Sequence, residues 1–329
     1  MSLCRFAKFH VVHSLAVAAL LLLGATGCTT TASARSDPSA RTLSIVDGHS
    51  GALLGWSDVM DRVRDADAIF IGERHDDPTG HAVQLAVYQD LLACTPGTAI
   101  ALEHLERNEQ VMLDAYLRGE MTPDAFIDAT KSRDWAGKGT WVNFFQPLVD
   151  AAREADSPVS AANAPRDLVR RARSDGHDAL DQLGQPERGY FDIPLQTTDD
   201  PAWCAAWLAS KERFHDFVTS NDEDPDSAES RARSNTAFLS QSQWDGTMGA
   251  SAANALAHGA PKVILCAGCF HIERRGGTVL QFQARRPGAR VLTISVFDES
   301  SPRLRKEDRD SADLVIYGFP VVRAARDSE

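Results

Sequence analysis

Short apolar runs alternate along the chain with longer amphipathic stretches, and polar or turn-forming residues bound each run. Five runs of four to six residues are rich in β-branched side chains, and a weaker sixth follows near the C-terminus. They lie at residues 68–71, 99–102, 158–162, 263–267, 291–296 and 314–319. Continuous apolar runs of this length predict strands that are covered on both faces of a sheet.

The stretches between these runs carry apolar residues at helical spacing. Two predicted helices start at Asp77-Pro78 and Thr122-Pro123, where a polar N-cap precedes a proline at the first helical position. Three more are predicted over 141–155, 165–175 and 245–258. Strands that alternate with helices predict an α/β fold with a largely parallel central sheet flanked by helices.

Residues 176–240 interrupt this alternation and predict a helical excursion. An acidic, proline-containing segment at 221–231 predicts a solvated loop within it. Four aromatic side chains precede that loop. They are Trp203, Trp207, Phe214 and Phe217. Two interpretations stay open, since these residues either pack locally on the core or form a lid or wall for a ligand.

The first 27 residues predict a lipoprotein signal peptide. Arg5 and Lys8 precede a 13-residue apolar run, at 11–23, that is too short to span a bilayer. Small residues then lead to Cys28, as in a bacterial lipobox, so we expect Cys28 to be lipidated and residues 28–42 to form a flexible tether. This predicts a lipid-anchored protein of the cell envelope, at the outer membrane of a two-membrane bacterium, with plain secretion as the alternative.

Charge and cysteine content narrow the classes of partner. Lysine and arginine number 34 against 46 acidic residues, which gives a net charge of −12 and no basic stripe, so we expect no nucleic-acid partner. An envelope compartment permits disulfides, but their pairing cannot be read from the sequence. The cysteines that remain after Cys28 are Cys94, Cys204, Cys266 and Cys269.

Polar side chains follow the predicted strands at the points where four of them end. They are Glu73, His75, Glu103, His104, Glu106, Arg107, Asn163, Arg166 and His271. Because the carboxyl ends of parallel strands meet at one edge of a sheet, we expect these side chains to converge. Asp245, at the predicted start of a helix, is either an N-cap or a tenth member of this group.

Histidine together with carboxylate is a ligand set for zinc or manganese, and histidine also ligates haem iron. The metal set predicted here is Glu73, His75, Glu103 and His271. A carboxylate buried alone at the end of an apolar strand is costly, so Glu103 binds a metal, is protonated, or pairs with a cation such as Arg107 or Arg166. With a metal-bound water, one carboxylate would act as general base of a hydrolase.

Five ordered blocks, at residues 71–81, 101–110, 162–166, 243–248 and 267–271, resemble the ChaN family of haem-binding uptake lipoproteins. That family is grouped with the Tiki proteases and the erythromycin esterases. The resemblance implies one α/β domain over residues 43–329. It implies a binding protein, not an enzyme, that holds haem in a cleft at the carboxyl ends of the strands and serves haem or iron uptake. Because haem is large enough for two copies of the chain to enclose it, we expect a homodimer on haem binding. A metal-dependent hydrolase that uses the same glutamates and histidines is the alternative.

The resemblance carries all ten polar residues over as the site and implies that Arg107 or Arg166 pairs with the haem propionates. Three positions depart from the family pattern, namely His104, Phe145 and Phe270. The family implies a tyrosine ligand to iron, and the tyrosines of this chain are Tyr88, Tyr116, Tyr190 and Tyr317. Since Phe145 stands where a tyrosine is expected, we hypothesise that His104 is the axial ligand instead.

Overall fold

The computed structural model describes residues 38–318. The predicted signal peptide and the lipidation site Cys28 lie outside the described residues. The tether was predicted to extend to residue 42, but Pro38–Thr42 form a short 3-10 helix in which Ala40 is buried. Arg41 of this turn pairs with Asp90 through Nη2 and Oδ1, 2.7 Å apart. The last five residues of the predicted tether therefore belong to the domain.

A single eight-stranded sheet runs through the described part of the chain. Its strands are β1 (Ser44–Asp47), β2 (Leu53–Leu54), β3 (Ala68–Glu73), β4 (Ala99–Glu106), β5 (Val159–Asn163), β6 (Val263–Gly268), β7 (Val291–Phe297) and β8 (Leu314–Tyr317). The spatial order is β2-β1-β8-β7-β3-β6-β4-β5. All neighbours from β8 to β5 are parallel, and only β1 pairs antiparallel, with β2 and β8. The predicted largely parallel sheet is confirmed.

Eleven α-helices accompany the sheet in the described residues. They are α1 (Trp56–Asp65), α2 (Pro78–Cys94), α3 (Gln110–Leu117), α4 (Pro123–Thr130), α5 (Gln146–Glu154), α6 (Arg166–Asp175), α7 (Asp178–Asp181), α8 (Pro201–Val218), α9 (Ala228–Ala257), α10 (Cys269–Ile272) and α11 (Gly277–Arg285). A π-helical turn, Trp141–Phe145, leads into α5. None of them is both long enough and apolar enough to cross a membrane.

The central strands are buried on both faces because their apolar residues alternate between two cores. Ile69 and Ile71 of β3 join the core formed with α1, α2 and α5, whereas Ala68 and Phe70 join the core formed with α9 and α11. Side chains along a strand point alternately to opposite faces. This alternation continues beyond the apolar run and decides which face receives each polar residue at the strand ends.

Two elements differ from the sequence analysis, one hairpin that was not predicted and one helix whose start was predicted too late. The hairpin of β1 and β2 was not predicted, since its strands are only four and two residues long. The helix predicted over 245–258 is the second half of α9, which has 30 residues and begins at Ala228. Asp245 therefore lies inside a helix and is not an N-cap. The helical excursion over 176–240 is confirmed as α7, α8 and the first half of α9.

The aromatic residues of the excursion pack locally. Trp203, Trp207 and Phe214 of α8 form a buried cluster with Phe238 of α9 and Leu280 of α11. The indole Nε1 of Trp203 donates a hydrogen bond of 2.8 Å to the Leu280 carbonyl. These contacts correspond to the interpretation in which the aromatic residues pack locally on the core. Phe217 lies on the outer side and is 66% exposed.

Candidate functional site

Three neighbouring strands bring the polar residues to one edge of the sheet. β6 lies between β3 and β4, and the register places Glu73 of β3 opposite Gly268 of β6. Glu103 and His104 fall just past Leu102, which pairs with Cys266. The ends of these strands are therefore level with one another, as expected for ligand sites in parallel sheets.

The alternation of side chains divides these residues between the two faces of the sheet. Glu73 continues the series of Ile69 and Ile71, so it points toward α2 and α5. Glu103 continues the series of Ala99 and Ala101, so it points toward α9 and α11. The structure thus forms two carboxylate clusters on the two faces at the end of the sheet, and residues of both line one cavity.

The first cluster, called the Glu73 cluster, consists of Glu73, His75, His81, Gln84 and His104. The Glu73 side chain has no exposed surface, and His75 Nδ1 and His104 Nε2 donate to its Oε1 at 2.9 and 2.8 Å. Gln84 Nε2 donates to its Oε2 at 2.6 Å. His81 and Gln84 were missed in the sequence, although a histidine and a glutamine on the buried face of a helix are a recognisable signal.

His81 is the third histidine of this cluster. Its Nε2 lies 3.2 Å from the His75 carbonyl oxygen, and its Nδ1 lies 3.1 Å from Gln84 Oε1 and 3.4 Å from Glu73 Oε2. All three partner atoms are oxygen acceptors. Burial alone would raise the pKa of Glu73, but the charges of His81 and His104 hold it well below its usual value.

His104 is enclosed by aromatic rings. Its ring stacks on Phe145 with centroids 3.8 Å apart and meets Trp135 edge to face at 4.5 Å. The side chain has no exposed surface, and Nδ1 has no hydrogen-bond partner among the described residues. This enclosure argues against the hypothesis that His104 is an axial haem ligand, because no ligand can reach the ring without displacing Trp135 or Phe145.

The second cluster, called the Glu103 cluster, consists of Glu103, Asp245, Gly268, His271 and Thr278. Asp245 Oδ1 accepts hydrogen bonds of 2.7 Å from His271 Nδ1 and from Thr278 Oγ1. His271 Nε2 lies 3.5 Å from Glu103 Oε1. The backbone N–H of Gly268 donates to Glu103 Oε2 at 2.7 Å. Asp245 thus fixes the orientation of His271 from inside α9.

Opposite charges within this cluster offset the unfavourable effect of burial on its charged side chains. Burial alone would raise the pKa of Glu103, but His271 lowers it to about 2. Burial alone would lower the pKa of His271, but Glu103 and Asp245 raise it to about 10. An imidazolium between two carboxylates is therefore the stable form at neutral pH. A metal ion at His271 Nε2 would have to displace that proton.

The Glu103 cluster predicts a loss of stability at alkaline pH. The folded chain keeps the His271 proton up to about pH 10, whereas the unfolded histidine releases it near its ordinary pKa of 6.5. Between these values the folded state binds more protons, so stability falls as pH rises. We expect the free energy of unfolding, measured by urea denaturation, to fall by about 2 kcal/mol between pH 7 and pH 9.

His271→Gln is expected to remove most of this pH dependence. His258→Gln, at an exposed position, is the matched control and should keep the wild-type dependence. An equal decrease in wild type and in His271→Gln would show that His271 does not hold the proton.

A cavity of about 500 Å³ opens between the two clusters and α6. His75, Glu103 and His271 line its polar end. Its apolar walls are Trp135, Val169 and Trp244. The remaining charged side chains that line it are Glu106, Arg166, Arg170 and Arg173. Because His75 Nδ1 is bound to Glu73, its Nε2 is the ring nitrogen available to a ligand in this cavity, named the site cavity below.

The ten predicted site residues do not all reach the site cavity. Glu73, His104 and Asp245 lie behind its lining, where they hold or pack against other side chains. Asn163 lines it and donates from Nδ2 to the Glu103 carbonyl at 3.0 Å. Arg107 faces away, because it pairs with Asp192 at 2.7 Å and lines a different cavity. Of the two arginines expected to pair with the haem propionates, Arg166 is therefore the one that lines the site cavity.

The predicted metal set also divides. Glu73 and His75 belong to one cluster, and Glu103 and His271 to the other. The donor atoms close enough to share an ion in the described residues are those of Glu73, His75 and His104, all within 4.8 Å of one another. Both oxygens of Glu73 already accept hydrogen bonds, so Glu73 is better placed to orient His75 than to bind a metal.

Comparison with known proteins identifies the family and the fold of this chain. ChaN of Campylobacter jejuni, solved in a study of cofacial haem binding, is 19% identical, with a TM-score of 0.59 over 83% of this chain and 96% of that chain. The family model described as haem-binding uptake, Tiki superfamily, ChaN matches residues 59–282. The chain belongs to this family.

Two further solved structures are more distant. An erythromycin esterase mutant in its open conformation is 13% identical, with a TM-score of 0.41 over 83% of this chain and 81% of that chain. A Bacillus cereus protein is 12% identical, with a TM-score of 0.40 over 76% and 74%. A search of curated protein sequences finds no match.

The tyrosines of the chain lie away from the site cavity. Tyr88, Tyr116 and Tyr317 are buried elsewhere, and Tyr190 lines the cavity that contains Arg107. None of them is among the described residues that line the site cavity. The tyrosine ligand that the family resemblance implies is therefore not provided at this site by the described part of one chain.

Proposed function

We propose that this protein is a lipid-anchored haem-binding protein of the cell envelope that serves haem or iron uptake, and that it binds haem in the site cavity. Membership of the haem-binding uptake family supports the ligand class. The lipid anchor is proposed from the sequence at Cys28, and the homodimer on haem binding stays a prediction.

The observation that carries this proposal is the position of His75. Its Nδ1 donates to Glu73, which leaves Nε2 as the ring nitrogen on the wall of a cavity with apolar sides. Burial alone would lower the pKa of His75, but the hydrogen bond to Glu73 and the charge of Glu103 raise it. An iron ligand at Nε2 therefore competes with a proton, and binding should weaken at acidic pH.

The residues of the site cavity fit haem in three respects. His75 offers a nitrogen ligand, Trp135 and Trp244 offer flat apolar surface, and Arg166 offers a cation for a carboxylate. When bound, haem supplies an iron centre that accepts a nitrogen from the protein. Among the described lining residues, His75 is the ligand we propose, since His271 is held by Asp245 and lies near Glu103.

Spectroscopic titration tests this function. We expect the purified protein to shift the Soret band of added haemin at a constant stoichiometry. We expect His75→Ala to lose this shift and to bind haemin at least tenfold more weakly. His258→Ala, at an exposed histidine, should titrate as wild type. A normal Soret shift in His75→Ala would show that His75 is not the ligand.

A divalent-metal hydrolase is the second candidate function. It is favoured by His75 and His271, each of which donates from Nδ1 to a carboxylate, and by Glu103 near them as a general base. Metal analysis of protein purified without chelator distinguishes the two candidates. Stoichiometric zinc or manganese without a Soret shift would favour the hydrolase.

A further inference from the structure

Three arginines lie on one face of α6 and line the site cavity. Arg166, Arg170 and Arg173 follow one another at spacings of four and three residues, which places them within one stripe of the helix surface. Leu168 and Ala172 point to the buried side of the helix, whereas Val169, beside the arginine stripe, also lines the cavity. Helical geometry therefore presents all three guanidinium groups to the same opening.

Two of these arginines have no partner in the described part of the protein. Arg166 Nε lies 3.8 Å from Glu106 Oε1, but no ion pair or hydrogen bond of Arg170 or Arg173 is found among residues 38–318. Some arginines of the chain are paired, as Arg41 is with Asp90 and Arg290 with Asp67. Three arginines in one stripe form a local positive patch in a chain with a net charge of −12.

Charge and shape at the opening match one chemical class of ligand. Arginine presents planar donors that bind carboxylates in a bidentate manner, and an exposed arginine keeps its charge solvated until a ligand arrives. Val169, one residue before Arg170, and Trp244 provide apolar surface in the same cavity. A ligand that combines a flat apolar body with carboxylates at its edge would satisfy both features.

We propose that Arg166, Arg170 and Arg173 form an anion-recognition wall that selects porphyrins with free carboxylates. This rests on the proposed haem-binding function and adds the residues that set ligand specificity. The wall recognises the periphery of the ligand, whereas His75 recognises its metal. The two contributions are separable, because a metal-free porphyrin engages only the wall and the apolar surface.

The test compares charged and neutral porphyrins on wild type and variants. Arg170→Gln/Arg173→Gln removes the two unpaired cations, and Arg171→Gln removes an exposed arginine of α6 that does not line the cavity. The probes are haemin and metal-free protoporphyrin IX, each beside its dimethyl ester. Binding is measured by absorbance or fluorescence quenching at two salt concentrations.

We expect the double variant to bind haemin and protoporphyrin IX about tenfold more weakly, with the dimethyl esters unaffected. Wild type should lose affinity for the free acids as salt is raised, and the double variant should lose less. Arg171→Gln should behave as wild type. Equal affinity of wild type and double variant for the free acids would contradict the proposal that these arginines recognise carboxylates.

The outcomes separate this inference from the proposed function. Suppose that haemin gives no Soret shift but protoporphyrin IX still binds better than its ester. This result would contradict haem ligation and support the anion-recognition wall. Suppose that haemin gives the Soret shift but binds with the same affinity as its dimethyl ester. This result would support the proposed function and contradict the anion-recognition wall. Failure of every porphyrin to bind would contradict both.

Discussion

Glu73→Ala is expected to lower the free energy of unfolding by about 3–5 kcal/mol, the range measured when one partner of a buried ion pair is removed. The variant leaves His104 Nε2 and Gln84 Nε2 without their acceptor in a cluster where the Glu73 and His104 side chains have no exposed surface. Urea denaturation at pH 7 measures the change. In a thermal melt it corresponds to a decrease of roughly 10 °C.

Two further variants separate lost charge from lost volume. Glu73→Gln keeps the shape of the side chain but not its charge, so it should also be strongly destabilising. Glu120→Gln breaks a pair with Arg118 on the surface and should leave the unfolding curve unchanged. A Glu73→Gln protein as stable as wild type would show that the charge of Glu73 does not stabilise the Glu73 cluster.

The sequence predicted the architecture because buried parallel strands leave a direct signature. Apolar runs at 68–71 and 263–267 correspond to β3 and β6, and each differs from the observed strand by two residues or fewer. Proline after a polar N-cap correctly located the start of α2, where Asp77 accepts from the N–H groups of Thr79 and Gly80. These signals are local, so no tertiary information was needed.

The division of the site into two clusters was predictable but was missed. Glu73 and Glu103 both end strands, and the edge of the sheet was correctly inferred as their common location. Counting the alternation from Ile71 and Leu102, which share one core, assigns Glu73 to their face and Glu103 to the opposite one. The prediction considered only where each strand ends and did not consider the face of the sheet to which its last side chain points.

Other features depend on packing that the sequence does not display. Asp245 looked like an N-cap because the first half of α9 is polar, yet that half is helical and packs against α8. Arg107 was assigned to the site by its position after β4, but its partner Asp192 comes from a segment without regular structure. Neither long-range contact has a local signal.

Gly268→Ala is expected to weaken haemin binding by about 30-fold, within the range seen when a ligand's supporting residues are altered. An added Cβ would lie 2.9 Å from His75 Cε1 and 3.1 Å from its Nε2, closer than ordinary van der Waals contact. Gly268 has φ −54° and ψ 142°, a conformation open to alanine, so the clash with His75 is the main consequence.

The expected loss of affinity is larger than the loss of stability because the His75 ring is 42% exposed, so we expect it to turn toward the cavity. Rotation relieves the clash but breaks the bond to Glu73 and moves Nε2, so the overpacking cost should stay near 1 kcal/mol. Gly288→Ala is the matched control, since no atom lies within 4 Å of its added Cβ. Haemin titration and urea denaturation of the same samples measure both effects, and wild-type affinity in Gly268→Ala would contradict ligation by His75.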